Sequence, residues 1–502
     1  MTAFSLNPEE IARCERLREL TAERLLPLAD KGDPGRVNRP LVQELGELGL
    51  LDALFDSGAL DLCLLRESLA RGCTEAETAL ALQGLGAHPV HAYGSPAQRE
   101  RWLPPVRAGR AVAAFALSEP GAGSDAAALA LAAEPDGSGG WHLTGEKSWI
   151  SNAPEADFYT VFARTTPDAG ARGVTAFLVP ADRAGLTGTP LAMLSPHPIG
   201  TLAFDGVRVG ADDALGERDR GFRVAMTTLN RFRPSVGAFA VGMAQAALDA
   251  TLAHTAGRDA FGGKLKDLQA VSHQVAEMAT RTEAARLLVY AAAAAYDRDE
   301  PDIAGRAAMA KLFATETAQF VVDTAVQLHG ARALRHGHLL EHLYREVRAP
   351  RIYEGASEVQ RAVIAKELYG GQAAGAGAAA PPSVTGSGSE NSQRVGSVAK
   401  NPGGAGAGAR GDPHRKRLHE RGHARAERQP RLPARGHRAG VRPLHQRRGR
   451  RATATGTRRD RRGSVRWGAR VATPRTGRST PGCPAVSLPC RRNAPGAWSW
   501  RS

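Results

Sequence analysis

The residues whose types and spacing could do chemistry stand at three places in the 502-residue chain. Ser118-Glu119-Pro120-Gly121-Ala122-Gly123-Ser124-Asp125 follows the apolar run Ala111–Leu117. Glycines at 121 and 123 let backbone approach a ligand closely, and adjacent N–H groups can bind its polar edge. Read as Gly-x-Gly-x-x-Ala, the turn would be a dinucleotide phosphate loop with Glu146 as its ribose acid, but such a loop must open a helix. Here a short Ala-rich run and the glycine turn at 137–140 follow, so on spacing alone an ordinary Gly-rich turn is the better reading. Trp149, read alone, is more often core than the wall of a cofactor site. Glu354, between Tyr353 and Gly355, is a carboxylate at the start of a helical stretch, where a solvated acid is the commoner fate.

Three kinds of element must position these groups. Residues 1–110 read as an all-helical domain. Asn7-Pro8-Glu9-Glu10 has a capping residue, Pro at the first position and acids in the first turn, and Ile11, Leu17, Leu20, Leu25 and Leu28 follow at helical spacing. Further helices are expected near 40–50, 59–70, 75–87 and 96–107. Residues 111–216 change to short apolar or alternating runs (111–117, 141–143, 158–164, 174–179 and 202–209) broken by Gly and Pro clusters, which argues for an antiparallel sheet or small barrel. Residues 217–370 return to long helical runs at 221–257, 267–297, 302–329 and 337–368, an antiparallel four-helix bundle joined by short turns. The fold class is α+β, mainly α.

The net charge of +15 averages two unlike parts. Residues 371–502 hold 28 Lys+Arg against 5 Asp+Glu, leaving −8 on residues 1–370. This tail has no Phe, Tyr, Ile or Met and only four Leu, too little apolar surface to offset chain entropy. Its 26 Arg against 2 Lys is also what GC-rich DNA yields when read out of frame, so 371–502 is expected to be a disordered basic tail or a frameshift product. Five cysteines without a CxxC pair make neither a disulfide scaffold nor a zinc site, and no metal is expected. No secretory signal or membrane span is read, and a cytoplasmic location is expected.

The Phe115–Asp125 run, followed by Gly145-Glu146-Lys147-Ser148-Trp149-Ile150-Ser151-Asn152, resembles the flavin-binding signature of the acyl-CoA dehydrogenases. Arg258-x-x-Phe261-Gly262-x-x-Leu265-x-x-x-Gln269, then Gln327-x-x-Gly330, then the run from Ile352 to Arg361, extend the resemblance in family order over residues 8–370. The tail has no counterpart.

The resemblance implies FAD held between the β domain and the bundle. Phe115, Leu117, Ser118, Gly123 and Ser124 would line its pyrimidine side, with Ser124 also near the pantetheine of an acyl-CoA. Trp149, Ile150 and Ser151 would form the isoalloxazine wall. Arg258 would pair with the FAD pyrophosphate, a bidentate role that Arg suits better than Lys. Phe261, Gln269, Gln327, Gly330 and Ala331 would reach an FAD shared with a neighbouring subunit, implying a homo-oligomer, dimer or tetramer. Arg233 would contact CoA, Tyr353 and Gly355 the thioester, and Ala356 and Glu358 the FAD side of the last helix. Glu354 would be the catalytic base, since Phe232 occupies the alternative base position. Departures are Ala331 and Ala333 in a usually Gly-rich stretch, Ala356 for a common Thr, Asn230 for a frequent Asp, and a shortened loop at 53–58.

The implied function is α,β-dehydrogenation of an acyl-CoA, with electrons passed to an electron-transferring flavoprotein. Two alternatives differ in acceptor or class: an acyl-CoA oxidase using O2, and a flavoprotein of this fold that binds nucleic acid through its basic tail. The tail lacks an interleaved aromatic pattern, so nucleic acid is expected only as a non-specific partner. A chain ended at Gly370 is expected to purify yellow and as active as the full chain; loss of flavin on truncation would restore a role to the tail.

Overall fold

The computed structural model describes residues 6–376, and the tail expectations from 377 onward lie outside the described residues. Helices come first: α1 (Pro8–Leu20), α2 (Leu26–Ala29), α3 (Arg39–Glu47), α4 (Ala53–Asp56), α5 (Ala59–Gly72), α6 (Thr74–Tyr93) and α7 (Pro96–Arg107). A π turn at Thr21–Leu25 joins the first two. The cap of α1 is reciprocal, as its sequence suggests: Glu10 N donates to Asn7 Oδ1 at 2.9 Å and Asn7 N to Glu10 Oε2 at 2.7 Å.

The strands are β1 (Ala113–Ala116), β2 (Ala132–Pro135), β3 (Trp141–Ser151), β4 (Phe158–Arg164), β5 (Val174–Pro180), β6 (Leu186–Pro190), β7 (Ile199–Val209) and β8 (Ala214–Leu215). The sheet runs β6-β7-β3-β2-β4-β5-β8, with β1 also on β4. The sequence suggests an antiparallel sheet, but the sheet is mixed, because β1 and β2 both pair parallel to β4. On β4, Phe158 and Phe162 pack toward the helices, while Tyr159, Val161 and Ala163 join the core on the other face. Burial on both faces makes β4 and β5 read as continuous apolar runs.

Two expectations fail for physical reasons. The strand expected at 141–143 continues to Ser151, because register shifts after Leu143 and after Lys147 break its alternation. The helical run expected over 337–368 is divided: after α8 (Gly221–Gly257), a small hairpin of β9 (Asp259–Ala260) and β10 (Gly263–Lys264), α9 (Gln269–Asp297) and α10 (Ile303–His329), the chain forms α11 (Leu339–Glu346) and then α12 (Ser357–Ala376). Pro350 lies in a 3₁₀ turn between them, and Glu354 and Gly355 follow at φ 50° and 94°. The last helix also passes the boundary expected at 370.

By length and composition α8 could cross a bilayer, but 72% of its most apolar window is buried in the molecule, where it is the central strut of the bundle. Gly242 permits its close passage over α5: an added Cβ would lie 2.6 Å from both Ala70 Cβ and Glu67 O.

A buried ion pair joins the sheet region to the bundle, His197 Nε2 meeting Glu346 Oε2 at 2.6 Å. Burial pushes the imidazolium pKa down, but Glu346, Glu77 and Glu75 outweigh it and raise the pKa above its usual value. A raised histidine contributes stability in full below its unfolded pKa and loses it as pH rises through the folded one. Replacing His197 by Leu is expected to cost about 3–5 kcal/mol at pH 6, with the deficit shrinking toward pH 9. Urea unfolding at both pH values tests this; a gap that does not change with pH would reduce the ring to packing.

Candidate active site

The Gly turn follows β1 directly. Glu119 and Ala122 exchange backbone hydrogen bonds at 3.1 Å across Pro120 and Gly121, and the chain passes through a short 3₁₀ turn into β2 rather than opening a helix. The dinucleotide-loop reading is thereby excluded. Beneath the turn lies a buried salt bridge that sequence reasoning did not assign. Lys147 Nζ donates to Glu119 Oε1 at 2.7 Å and to Leu117 O at 2.9 Å, while the Glu119 carboxylate accepts from Ala130 N and Leu131 N. Burial pushes the Lys147 ammonium down to about 8, with Glu119 opposing the shift. Ser148 N also donates to Ser118 O at 3.0 Å, so β3 is tied to the turn residue by residue.

This places Ser118 beside Trp149, which the irregularity after Lys147 turns out of the strand at φ 56° with half its surface exposed. A Cβ added at Gly121 or Gly123 meets nothing within 4 Å. An open, glycine-faced turn next to an outward tryptophan fits the edge and face of a flat heterocycle. Of the other expected wall residues, Ser151 is partly buried and Ser124 exposed. Leu117 and Ile150 are buried in the two cores, and Phe115 packs on Phe162 with ring centroids 4.9 Å apart. The side chains of Phe115, Leu117 and Ile150 therefore serve packing, and any contribution they make to a ligand comes through backbone.

The second half of the site is built on the bundle. Glu354 is half-buried, and its Oε2 is wholly buried without a hydrogen-bond partner. Burial raises its carboxyl pKa, while Arg66 from α5, Lys311 from α10 and Arg233 from α8 pull it down. The backbone around it is pinned: Lys311 Nζ donates to Gly355 O at 2.7 Å, and Gln360 Nε2 donates to Gly355 O at 2.9 Å and Glu354 O at 3.2 Å. Arg233 is buried, with Nη1 on Asn230 Oδ1 at 2.8 Å and Nε unpartnered. Arg66 is paired with Glu77 and donates to Ser235 Oγ at 2.6 Å. Phe232 is core, edge-on to His88.

Tyr353 and Ile352 are exposed beside Glu354, and Glu358 lies on the surface near Arg361. Glu354 precedes α12 in a left-handed conformation, so it shares no helix face with Glu358. Ala356 is partly buried at the start of α12.

The remaining expected residues gather elsewhere. Arg258 caps α8, Phe261 is 93% exposed on the β9–β10 turn, Gln269 opens α9, and Gln327, Gly330 and Ala331 are exposed at the end of α10. Stacked rings of His254 and His329, 4.1 Å apart, hold the ends of α8 and α10 together. From Lys311 to Gln327 is about 24 Å along a helix at 1.5 Å per residue, so one chain does not unite this group with Glu354. Lys147, Arg66, Glu77 and Gln360 were given no role from sequence, because only the fold shows that Lys147 meets Glu119 across 28 positions, that Arg66 bridges Glu77 and Ser235, and that Gln360 turns back onto the Glu354 and Gly355 carbonyls.

The open Gly turn beside Trp149 on β3, and the Glu354 carboxylate among three cations on the bundle, form the two halves of a candidate redox site. Family comparisons agree: the acyl-CoA dehydrogenase N-terminal, middle and C-terminal domains match residues 7–110, 114–207 and 219–369. The mitochondrial short-chain specific acyl-CoA dehydrogenase of Bos taurus is 38% identical over 363 residues, 70% of this chain and 88% of that protein. The butyryl-CoA dehydrogenase structure from Megasphaera elsdenii superposes with a TM-score of 0.69 at 32% identity, over 73% of this chain and 99% of the other. An FAD complex of PigA gives 0.69 at 26% identity, over 73% and 99%. The chain belongs to the acyl-CoA dehydrogenase family, and it is an FAD-dependent oxidoreductase.

Removing the ammonium beneath the turn leaves the buried Glu119 carboxylate without its cation. Lys147→Met is expected to lower unfolding free energy by about 3–5 kcal/mol and to reduce the flavin retained through gel filtration. Full flavin content with unchanged urea unfolding would show that the pair does not hold the cradle.

Proposed function

We propose that the protein oxidises an acyl-CoA thioester between Cα and Cβ to the trans-2-enoyl-CoA, with Glu354 as the base. The observation that carries this reading is the buried, unpartnered Glu354 Oε2 on a loop fixed from both sides. When bound, FAD supplies the acceptor for the hydride leaving the β-carbon.

The α-proton of a thioester is weakly acidic, so its removal needs a base and a donor to the carbonyl oxygen. Glu354 has lost water by burial, which raises its affinity for a proton, and three nearby cations oppose that rise in part. Its backbone N–H has no acceptor among the described residues and is free to hold the thioester oxygen as negative charge develops there. Arg233, buried and only partly bonded, faces the same space from α8 and would steady the CoA side. Tyr353 and Gly355 flank the base, glycine leaving room for the thioester.

The separation of Arg258, Phe261, Gln269 and Gln327 from Glu354 supports a homo-oligomer in which one subunit's bundle end completes its neighbour's flavin site. The family resemblance supports an electron-transferring flavoprotein as acceptor, so air should reoxidise the flavin slowly.

Glu354→Gln is expected to keep FAD and acyl-CoA affinity and to lose flavin reduction by about 10²–10⁴-fold, the range of general-base catalysis. Anaerobic stopped-flow bleaching with a panel of acyl-CoAs starting from butyryl-CoA measures this. In the wild type the reduction rate should climb with pH through a carboxyl pKa above the ordinary value. Near-normal reduction by the variant would remove Glu354 from the mechanism, and rapid peroxide formation with acyl-CoA alone would favour an oxidase.

A further inference from the structure

Lys311 is completely buried in the middle of α10, where an ammonium costs several kcal/mol in lost hydration unless it is compensated. Its one hydrogen bond is the 2.7 Å contact to Gly355 O. Burial pushes its pKa down to about 8. Glu354 on the adjoining loop, Glu316 on its own helix and Glu358 on α12 oppose that shift, while Arg233 on α8 adds to it.

The carbonyl it holds belongs to a strained segment. Glu354 is a non-glycine residue at φ 50°, and Gly355 follows at φ 94° with Gln360 Nε2 only 2.3 Å from where a Cβ would stand. Such backbone persists when its surroundings over-determine it. Lys311 and Gln360 grip Gly355 O together, and Gln360 also reaches Glu354 O, so both peptide planes after the Glu354 Cα are set.

We propose that Lys311 is a positioning residue for the dehydrogenation, its buried ammonium fixing the left-handed Glu354–Gly355 loop through Gly355 O while its charge favours the carboxylate form of Glu354. This rests on Glu354 being the base. The two actions are separable. A neutral side chain that still donates a hydrogen bond retains the first and loses the second; an apolar one loses both. Arg66 and Arg233 also act on Glu354, so the loss of Lys311 removes one of three charges that oppose its burial.

The experiment compares Lys311→Gln, Lys311→Met and Lys311→Arg as holoenzymes, with flavin content and thermal melting as controls for folding. The Glu354 carboxyl is titrated directly by infrared difference spectroscopy, each spectrum referenced to the same protein carrying Glu354→Gln, and flavin reduction is followed against pH. In the Gln and Met variants the carboxyl is expected to titrate about one pH unit higher, as loss of a neighbouring cation requires, and the pH–rate curve moves with it. At pH well above that value Lys311→Gln recovers to within a few-fold of wild type, Lys311→Met stays more than about tenfold below, and Lys311→Arg leaves the titration in place. A carboxyl that titrates as in wild type in Lys311→Gln overturns the proposal, as does equal recovery of the Gln and Met variants at high pH. If Met fails to fold, the Gln and Arg pair decides. Full reduction by Glu354→Gln alone would instead defeat the assignment of the base, so the two failures are distinguishable.

Discussion

A carboxylate removed from water stays charged only if positive charge is brought to it, and the architecture around Glu354 is organised by that requirement. The cations come from three helices, Arg66 on α5, Arg233 on α8 and Lys311 on α10. Each is itself buried and needs a partner: Glu77 on α6, Asn230 one turn back on α8, and the Gly355 carbonyl. Holding one acid thus constrains four helices from two parts of the chain. The central helix of the bundle must be long enough to meet both the N-terminal helices and the loop that carries Glu354, which the 37 residues of α8 allow.

The same device is used on the sheet side. Trp149 and Glu354 are both non-glycine residues in left-handed backbone, a conformation that costs of order 1 kcal/mol or more. Near each, a buried lysine bonds a backbone carbonyl and has its pKa lowered to about 8: Lys147 on Leu117 O and Lys311 on Gly355 O. At both of these positions the buried ammonium fixes backbone adjoining the left-handed residue. Long-range ion pairs then hold the parts in register, Arg39 on Asp157 between N-terminal helices and sheet and His197 on Glu346 between sheet and bundle.

Much of this was legible without coordinates. The cap at Asn7 is local chemistry, satisfied by a residue three positions on. The Ala-rich runs of α8, α9 and α10 are periodic over many turns, and the runs of β4 and β5 are continuous because both faces are covered. Strands β2, β6 and β8 escaped because they are short, and β2 and β6 are largely exposed. The true length of β3 was hidden by two register shifts, and the break before α12 by a left-handed residue that is not glycine.

The sequence by itself determined the order of helix, sheet and bundle and the Gly turn, since periodicity, capping and motif spacing are encoded within a few residues, and Glu354 stood out only through the family resemblance. Only the tertiary structure decided which charges are buried together. Arg66 meets Ser235 across 169 positions and His197 meets Glu346 across 149, and the desolvation that shifts a pKa depends on every element packed around the group. Whether Glu354 is a solvated helix-start acid or a buried carboxylate among cations is a property of that packing, because the cost of a charge is set by the medium around it rather than by its neighbours in the chain.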